Sequence, residues 1–239
     1  MTLLAEGCDM RLRRLLFAGD CLLCSEGAGY TTNLCDACYT ALPKLGSGCP
    51  TCARVLPTPT LCSDCYLRKP AFSVTRAPYE YAKEIKFLIG RAKFECSLAA
   101  ALTLGELLAN WLNQTLTTRP DLIIPVPLHA SRLRHRGYNQ AQEMARTVSR
   151  HLGVEMSANA CARIRNTQPQ SEMLGGRARQ RNVRGAFHCK RLPRRFASIA
   201  LVDDVMTTGA TLRELAAQLS QSGIKEIQVW VVARTISYL

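Results

Sequence analysis

The sequence predicts a parallel α/β domain preceded by a small cysteine-rich domain. Three observations carry this prediction. Four Cys-x-x-Cys knuckles crowd into residues 21–65, and from residue 97 onward buried-strand runs alternate with helical segments. The strand run at 198–204 then ends in two adjacent acids, followed by a Thr/Gly turn. With 239 residues, 47% hydrophobic and 21% charged, the chain suits one medium domain plus a smaller one, with enough apolar residues for a core. No apolar run reaches the length of a bilayer span. The N-terminal stretch MTLLAEGCDMRLRRLLFAG lacks the long apolar centre of a signal peptide, which predicts a cytoplasmic protein.

The knuckles are Cys21 with Cys24, Cys35 with Cys38, Cys49 with Cys52, and Cys62 with Cys65. A Cys-x-x-Cys turn aims two thiolates at one point, so two knuckles complete a tetrahedral zinc site. Aliphatic residues are sparse between them, and a region this small needs a metal in place of a core. Pairing consecutive knuckles gives two structural Cys₄ sites in a double zinc ribbon, and a cross-braced pairing of alternate knuckles fits the same spacing. Closed Cys₄ sites have no open coordination position, which predicts structure and not catalysis. Cys8, Cys96, Cys161 and Cys189 read as isolated residues, and a reducing compartment argues against disulfides. The Pro- and Lys/Arg-bearing stretch 66–78 marks the boundary, with a Cys-rich domain over 1–70 and the α/β domain over 71–239.

Within the second domain, residues 79–94 alternate apolar and basic residues, and 97–116 is strongly helical in composition. DLIIPVP (121–127) reads as a buried strand halted by prolines. A helix follows, opened by Asn139 as N-cap and closed by Gly153. SIALVDD (198–204) is a second buried strand, then a helix over 211–222 stopped by Gly223, then a strand over 227–233. This alternation predicts a parallel sheet with crossover helices.

Ligands of such sheets bind beyond the carboxyl ends of the strands. LVDDVMTTGATL (201–212) puts Asp203 and Asp204 at one such end, and the turn after them enters a helix N-terminus. Backbone N–H groups and the helix dipole cradle a phosphate there. Thr207, Thr208 and Thr211 add hydroxyls, and Gly209 admits close approach of the main chain. Carboxylates beside a phosphate cradle suit a ligand with both diol hydroxyls and a phosphate, such as a ribose 5-phosphate. The charge agrees with this. Of a net +13, the stretch from His129 to Arg195 holds fifteen Lys/Arg against three acids, and all but Lys190 of the fifteen are arginines, suited to bidentate phosphate contacts.

LVDDVMTTGATL resembles the phosphoribosyl pyrophosphate (PRPP) motif of type I phosphoribosyltransferases. VPLHASRLRHRGYNQA (126–141), RIRNTQPQSEMLGGRARQRNVRGAF (163–187) and the Lys93–Phe94 pair are similar to segments of the competence protein F (ComF/GntX-like) family. An N-terminal cysteine-knuckle ribbon before a phosphoribosyltransferase-like domain is that family's layout. Tyr138 stands where Phe is usual. The resemblance implies that Asp203 and Asp204 hold the ribose hydroxyls and act as the catalytic pair. Met206, Thr207, Thr208, Gly209, Ala210 and Thr211 would wrap the 5-phosphate. Residues 127–137 would form a pyrophosphate loop carrying Arg132, Arg134 and Arg136, with His129 and His135 in reach of phosphate. Residues 163–187 would be a lid, with Thr167, Gln168, Arg177, Arg181 and Asn182 as its working positions. Mg²⁺ would accompany PRPP.

Two functions follow. The family implies a role in natural transformation or the use of imported DNA, alongside other DNA-uptake proteins, by binding single-stranded DNA. Arg132, Arg136, Arg163, Arg177 and Arg181 would track phosphates, and Tyr138 and Phe187 offer rings for base stacking. The alternative is a catalytically active phosphoribosyltransferase for a nucleobase-like acceptor. The sequence shows no acceptor hood beyond the candidate stretch 79–120.

Overall fold

A computed structural model describes residues 19–29, 32–167 and 181–236. The chain forms two compact units, Met1–Leu42 and Pro43–Leu239. The division falls between the second and third knuckles, so Cys49, Cys52, Cys62 and Cys65 fold with the sheet-bearing unit. In the first unit, an antiparallel bridge joins Asp20 to Gly27, and Cys35 caps a short helix, α1 (Asp36–Thr40).

The second unit begins with the third and fourth knuckles and α2 (Ser63–Leu67). The chain then enters a parallel sheet through β1 (Val74–Arg76) and β2 (Tyr79–Glu80), which pair with opposite ends of the same neighbour. Helices α3 (Lys83–Phe94) and α4 (Leu98–Thr115) follow, then β3 (Leu122–Pro125), α5 (Ala130–Arg136), α6 (Gln140–Leu152) and β4 (Glu155–Met156). A hairpin of β5 (Cys161–Arg163) and β6 (Phe187–Cys189) stands off the sheet, and β7 (Ser198–Met206), α7 (Ala210–Gln221) and β8 (Glu226–Arg234) complete the order. The sheet runs β1-β8-β7-β3-β4 with every described pairing parallel, as the alternating pattern predicts.

β7 and β8 are buried along most of their length, as expected for central strands with both faces covered. α6 shows the predicted caps: the Asn139 side chain accepts from Ala141 N–H, and Gly153 ends the helix at φ 64°. α4 packs on α6 through Gly105, where a Cβ would lie 3.0 Å from Met144 Cα, so a larger residue would push the helices apart. Among the described residues no helix is long and apolar enough to cross a membrane.

The structure corrects four readings of the sequence. Residues 130–136 form a helix, not a loop: His129 caps it through Ser131 N–H, and Gly137 closes it at φ 81°. β7 continues past the acid pair to Met206 because β8 keeps pairing with it. Cys161 and Cys189 are not isolated; they face each other across the β5–β6 hairpin and form a disulfide. Phe187 is buried at 3% exposure beneath the Arg163 guanidinium, so its ring is not open to a base.

Candidate functional site

The cysteines form two clusters from consecutive knuckles: Cys21, Cys24, Cys35 and Cys38, then Cys49, Cys52, Cys62 and Cys65, with ligand atoms in each cluster within 4.8 Å of one another. Sγ atoms of Cys24 and Cys35 are 3.7 Å apart, and those of Cys52 and Cys62 are 3.6 Å apart. A tetrahedral zinc with bonds of about 2.3 Å needs sulfur–sulfur edges of about 3.8 Å, so the donors fit the ion. Burial alone would raise the Cys21 and Cys49 thiols, but backbone N–H groups of the knuckles outweigh it and lower them to about 6 and about 7. Burial and the neighbouring sulfurs push Cys38 up to about 12. Four sulfurs this close cannot all carry charge unaided, which is the problem a divalent cation solves. Two Cys₄ clusters thus fit two structural zinc sites.

At the carboxyl end of β7 the two acids have different surroundings. Asp204 is buried at 3% exposure, with Oδ1 2.8 Å from Lys93 Nζ and Oδ2 accepting from Gln140 Nε2 at 3.0 Å. Gln140 is in turn held by Arg136 through its Oε1. Asp203 is half-buried, and its Oδ1 accepts from Asp204 N–H at 2.9 Å. Burial, and then the Asp204 carboxylate, push Asp203 up to about 7, against the pull of Lys93 and Arg163. Burial by itself would lower the Lys93 ammonium; Asp204 more than offsets this and holds it above its ordinary value.

Beyond Met206 the chain turns into a helix N-terminus, as the sequence predicts. Gly209 takes the left-handed conformation at φ 75°, and a Cβ there would sit 2.4 Å from Met206 Cε. α7 starts immediately at Ala210, with Thr208 Oγ1 accepting from Ala210 N–H at 3.4 Å. Thr207, Thr208 and Thr211 are half-buried, whereas the Met206 and Ala210 side chains are turned into the core.

A cleft of about 550 Å³ adjoins the acids through Lys93 and Arg136. Phe94, Arg132, His135, Asn166 and Thr167 also line it. One turn apart on α5, Arg132 and Arg136 share the cleft side, while Arg134 is exposed and does not line it. Arg132 donates to the Thr167 carbonyl and Arg163 to the Thr167 hydroxyl, so two arginines grip the start of the expected lid. Burial and the nearby Arg132 lower Arg163 to about 10, although Asp203 opposes this.

The other predicted residues are dispersed. Arg181 is exposed and lines a separate cleft with Arg184, Arg213 and Glu214. The Tyr138 hydroxyl donates to the Ala92 and Ser97 carbonyls, which ties the ring to the α3–α4 junction. His129 serves as the α5 cap. Gln168 and Arg177 lie outside the described residues. Sequence reasoning missed the contacts of Lys93, Gln140 and Arg234 altogether. It also missed Phe94 as an aromatic 76% exposed at the cleft.

A family described as a double zinc ribbon domain matches residues 12–66. The chain is 31% identical over 231 residues to the DNA utilization protein YhgH of Salmonella typhimurium, covering 93% of this chain and 100% of that protein. It is 35% identical over 179 residues to competence protein F of Haemophilus influenzae, covering 72% of this chain and 78% of that protein. Competence protein ComFC of Streptococcus pneumoniae is 26% identical over 208 residues, with 84% and 87% covered.

Proposed function

Starting from a chain that belongs to the family of competence protein F and the YhgH DNA utilization proteins, we propose that it handles single-stranded DNA during DNA uptake and binds PRPP with Mg²⁺ at the end of its sheet. Cytoplasmic action on imported DNA follows from that role. The observation that carries the ligand is the half-buried Asp203 beside a fully engaged Asp204, immediately before the Gly209 turn into α7. Asp203 accepts hydrogen bonds from the ribose diol, and the 207–211 turn receives the 5-phosphate at a helix N-terminus. Arg132 and Arg136 supply charge for the pyrophosphate from the cleft side of α5. Mg²⁺, when bound, would offset the negative charge of the pyrophosphate. DNA phosphates are drawn by the same basic surface, and Phe94 offers its ring to a base.

Phe94 also favours a second reading, transfer of the phosphoribosyl group to a nucleobase-like acceptor stacked in the cleft. In that reaction an acceptor nitrogen bonds to the anomeric carbon, the bond to pyrophosphate breaks, and the acceptor's proton goes to solvent. The test is pyrophosphate release from PRPP and Mg²⁺, with nucleobases or single-stranded DNA supplied separately and the Asp203→Asn/Asp204→Asn protein as control. Release with one acceptor, lost in the control, identifies an enzyme and its acceptor class. No release from a protein that binds PRPP leaves the ligand as a regulator of DNA handling.

A further inference from the structure

Two arginines connect the second cysteine quartet to the Gly209 turn. Arg234, the last residue of β8, is 3% exposed. Its Nε donates to the Cys52 carbonyl at 3.0 Å, and its Nη1 donates to the Met206 carbonyl at 2.9 Å and to the Thr207 carbonyl. One guanidinium thus joins the backbone of a zinc-binding knuckle to the first two carbonyls of the turn. In the first turn of α7, Arg213 Nη2 lies 3.1 Å from Asp64 Oδ2 and 3.4 Å from Cys65 Sγ, while Nη1 donates to the Arg68 carbonyl at 2.8 Å. The turn and the helix behind it are therefore fastened to different knuckles of one quartet.

We propose that the second cysteine quartet governs the 206–212 turn: with zinc bound it holds Arg234 and Arg213 in place, and these fix the turn in its ligand-binding shape. The ion clamps four sulfurs and with them the Cys52 carbonyl; without it a knuckle of few apolar residues has little else to hold it. A buried guanidinium cannot follow a wandering carbonyl without leaving other donors unpaired, so the disturbance passes to Met206 and Thr207. The coupling is reciprocal, and a ligand that orders the turn slows loss of zinc from this quartet. That the ordered turn receives a phosphate rests on the proposed function; the coupling itself does not.

The test uses the full-length, zinc-loaded protein without PRPP and reads amide hydrogen exchange in residues 204–213, with β3 (Leu122–Pro125) as internal reference. Cys62→Ser, Arg213→Gln and Arg234→Met are compared with wild type, and zinc content is measured for each. Losing one anchoring hydrogen bond speeds exchange in the turn by roughly tenfold, with β3 unchanged. If Arg234→Met fails to fold, Cys62→Ser and Arg213→Gln decide the matter. Unchanged turn exchange in a folded Cys62→Ser protein that has lost one zinc overturns the proposal. A second arm adds PRPP and Mg²⁺ and follows zinc capture by a chromophoric chelator. Slower capture from wild type but not from Arg213→Gln supports the link. Absence of PRPP binding overturns the proposed function and leaves the exchange result to stand by itself.

Discussion

Lys93 Nζ lies 2.8 Å from Asp204 Oδ1, so one acid of the pair is matched by a cation that the protein supplies from α3. With Gln140 on its other oxygen, Asp204 is engaged on both oxygens, whereas Asp203 is half-buried and is the carboxylate proposed to meet a ligand.

Lys93→Met leaves Asp204 buried without its counter-charge. Breaking a buried pair in this way costs about 3–5 kcal/mol, so the unfolding midpoint should fall markedly. Adding Asp204→Asn removes the stranded charge and restores most of the loss. A double variant as unstable as Lys93→Met alone would show that the pair is not the source of the effect.

Asp203 predicts a pH dependence with a definite sign. Its folded value of about 7 lies well above the ordinary carboxylate range, so the folded protein holds a proton that the unfolded chain has already released. Folding stability measured against Asp203→Asn therefore falls as pH rises from about 4 to about 7 and levels off above it. PRPP binding moves the other way, strengthening as Asp203 ionises near pH 7, and Asp203→Asn removes that step. Comparison with the variant cancels the ligand's own titration.

The sequence showed strands and helices because their causes are local. Asn139 and Gly153 bracket α6 by cap chemistry, and the apolar run before Asp203 marks a covered central strand. The acid pair and turn form one short segment and were equally visible. The contacts of Lys93 and Arg234 were not, because each meets its partner far along the chain and a lone cation in sequence looks like a solvated one. The Cys161–Cys189 disulfide, 28 residues apart, depends on hairpin register. α5 was missed because three arginines in seven residues hide any apolar period and its cap is a histidine, outside the usual capping residues.

The arginines of α5 should divide by face in DNA binding. Arg132→Gln and Arg136→Gln each lower the salt slope of single-stranded DNA affinity by about 0.7, while exposed Arg134→Gln, off the cleft, leaves it unchanged. Phe94→Ala weakens binding by about 1–3 kcal/mol with little change in slope, as loss of a stacked base does. Equal slopes for all three arginine variants would contradict a cleft-sided DNA path.

Metal analysis should find two zinc ions per chain, one per quartet. Cys24→Ser keeps one, and Cys24→Ser/Cys52→Ser keeps none. Retention of two zinc ions by Cys24→Ser would contradict the assignment.

The proposed ligand chemistry depends on PRPP binding at the end of β7. Calorimetric titration of PRPP with Mg²⁺ into the zinc-loaded chain tests it most directly, beside Asp203→Asn/Asp204→Asn and Gly209→Ala. Wild type should show one site, the double variant no measurable binding, and Gly209→Ala weaker binding, because its left-handed backbone costs about 1 kcal/mol or more in strain. Equal binding by all three, or none by wild type, would contradict PRPP binding there.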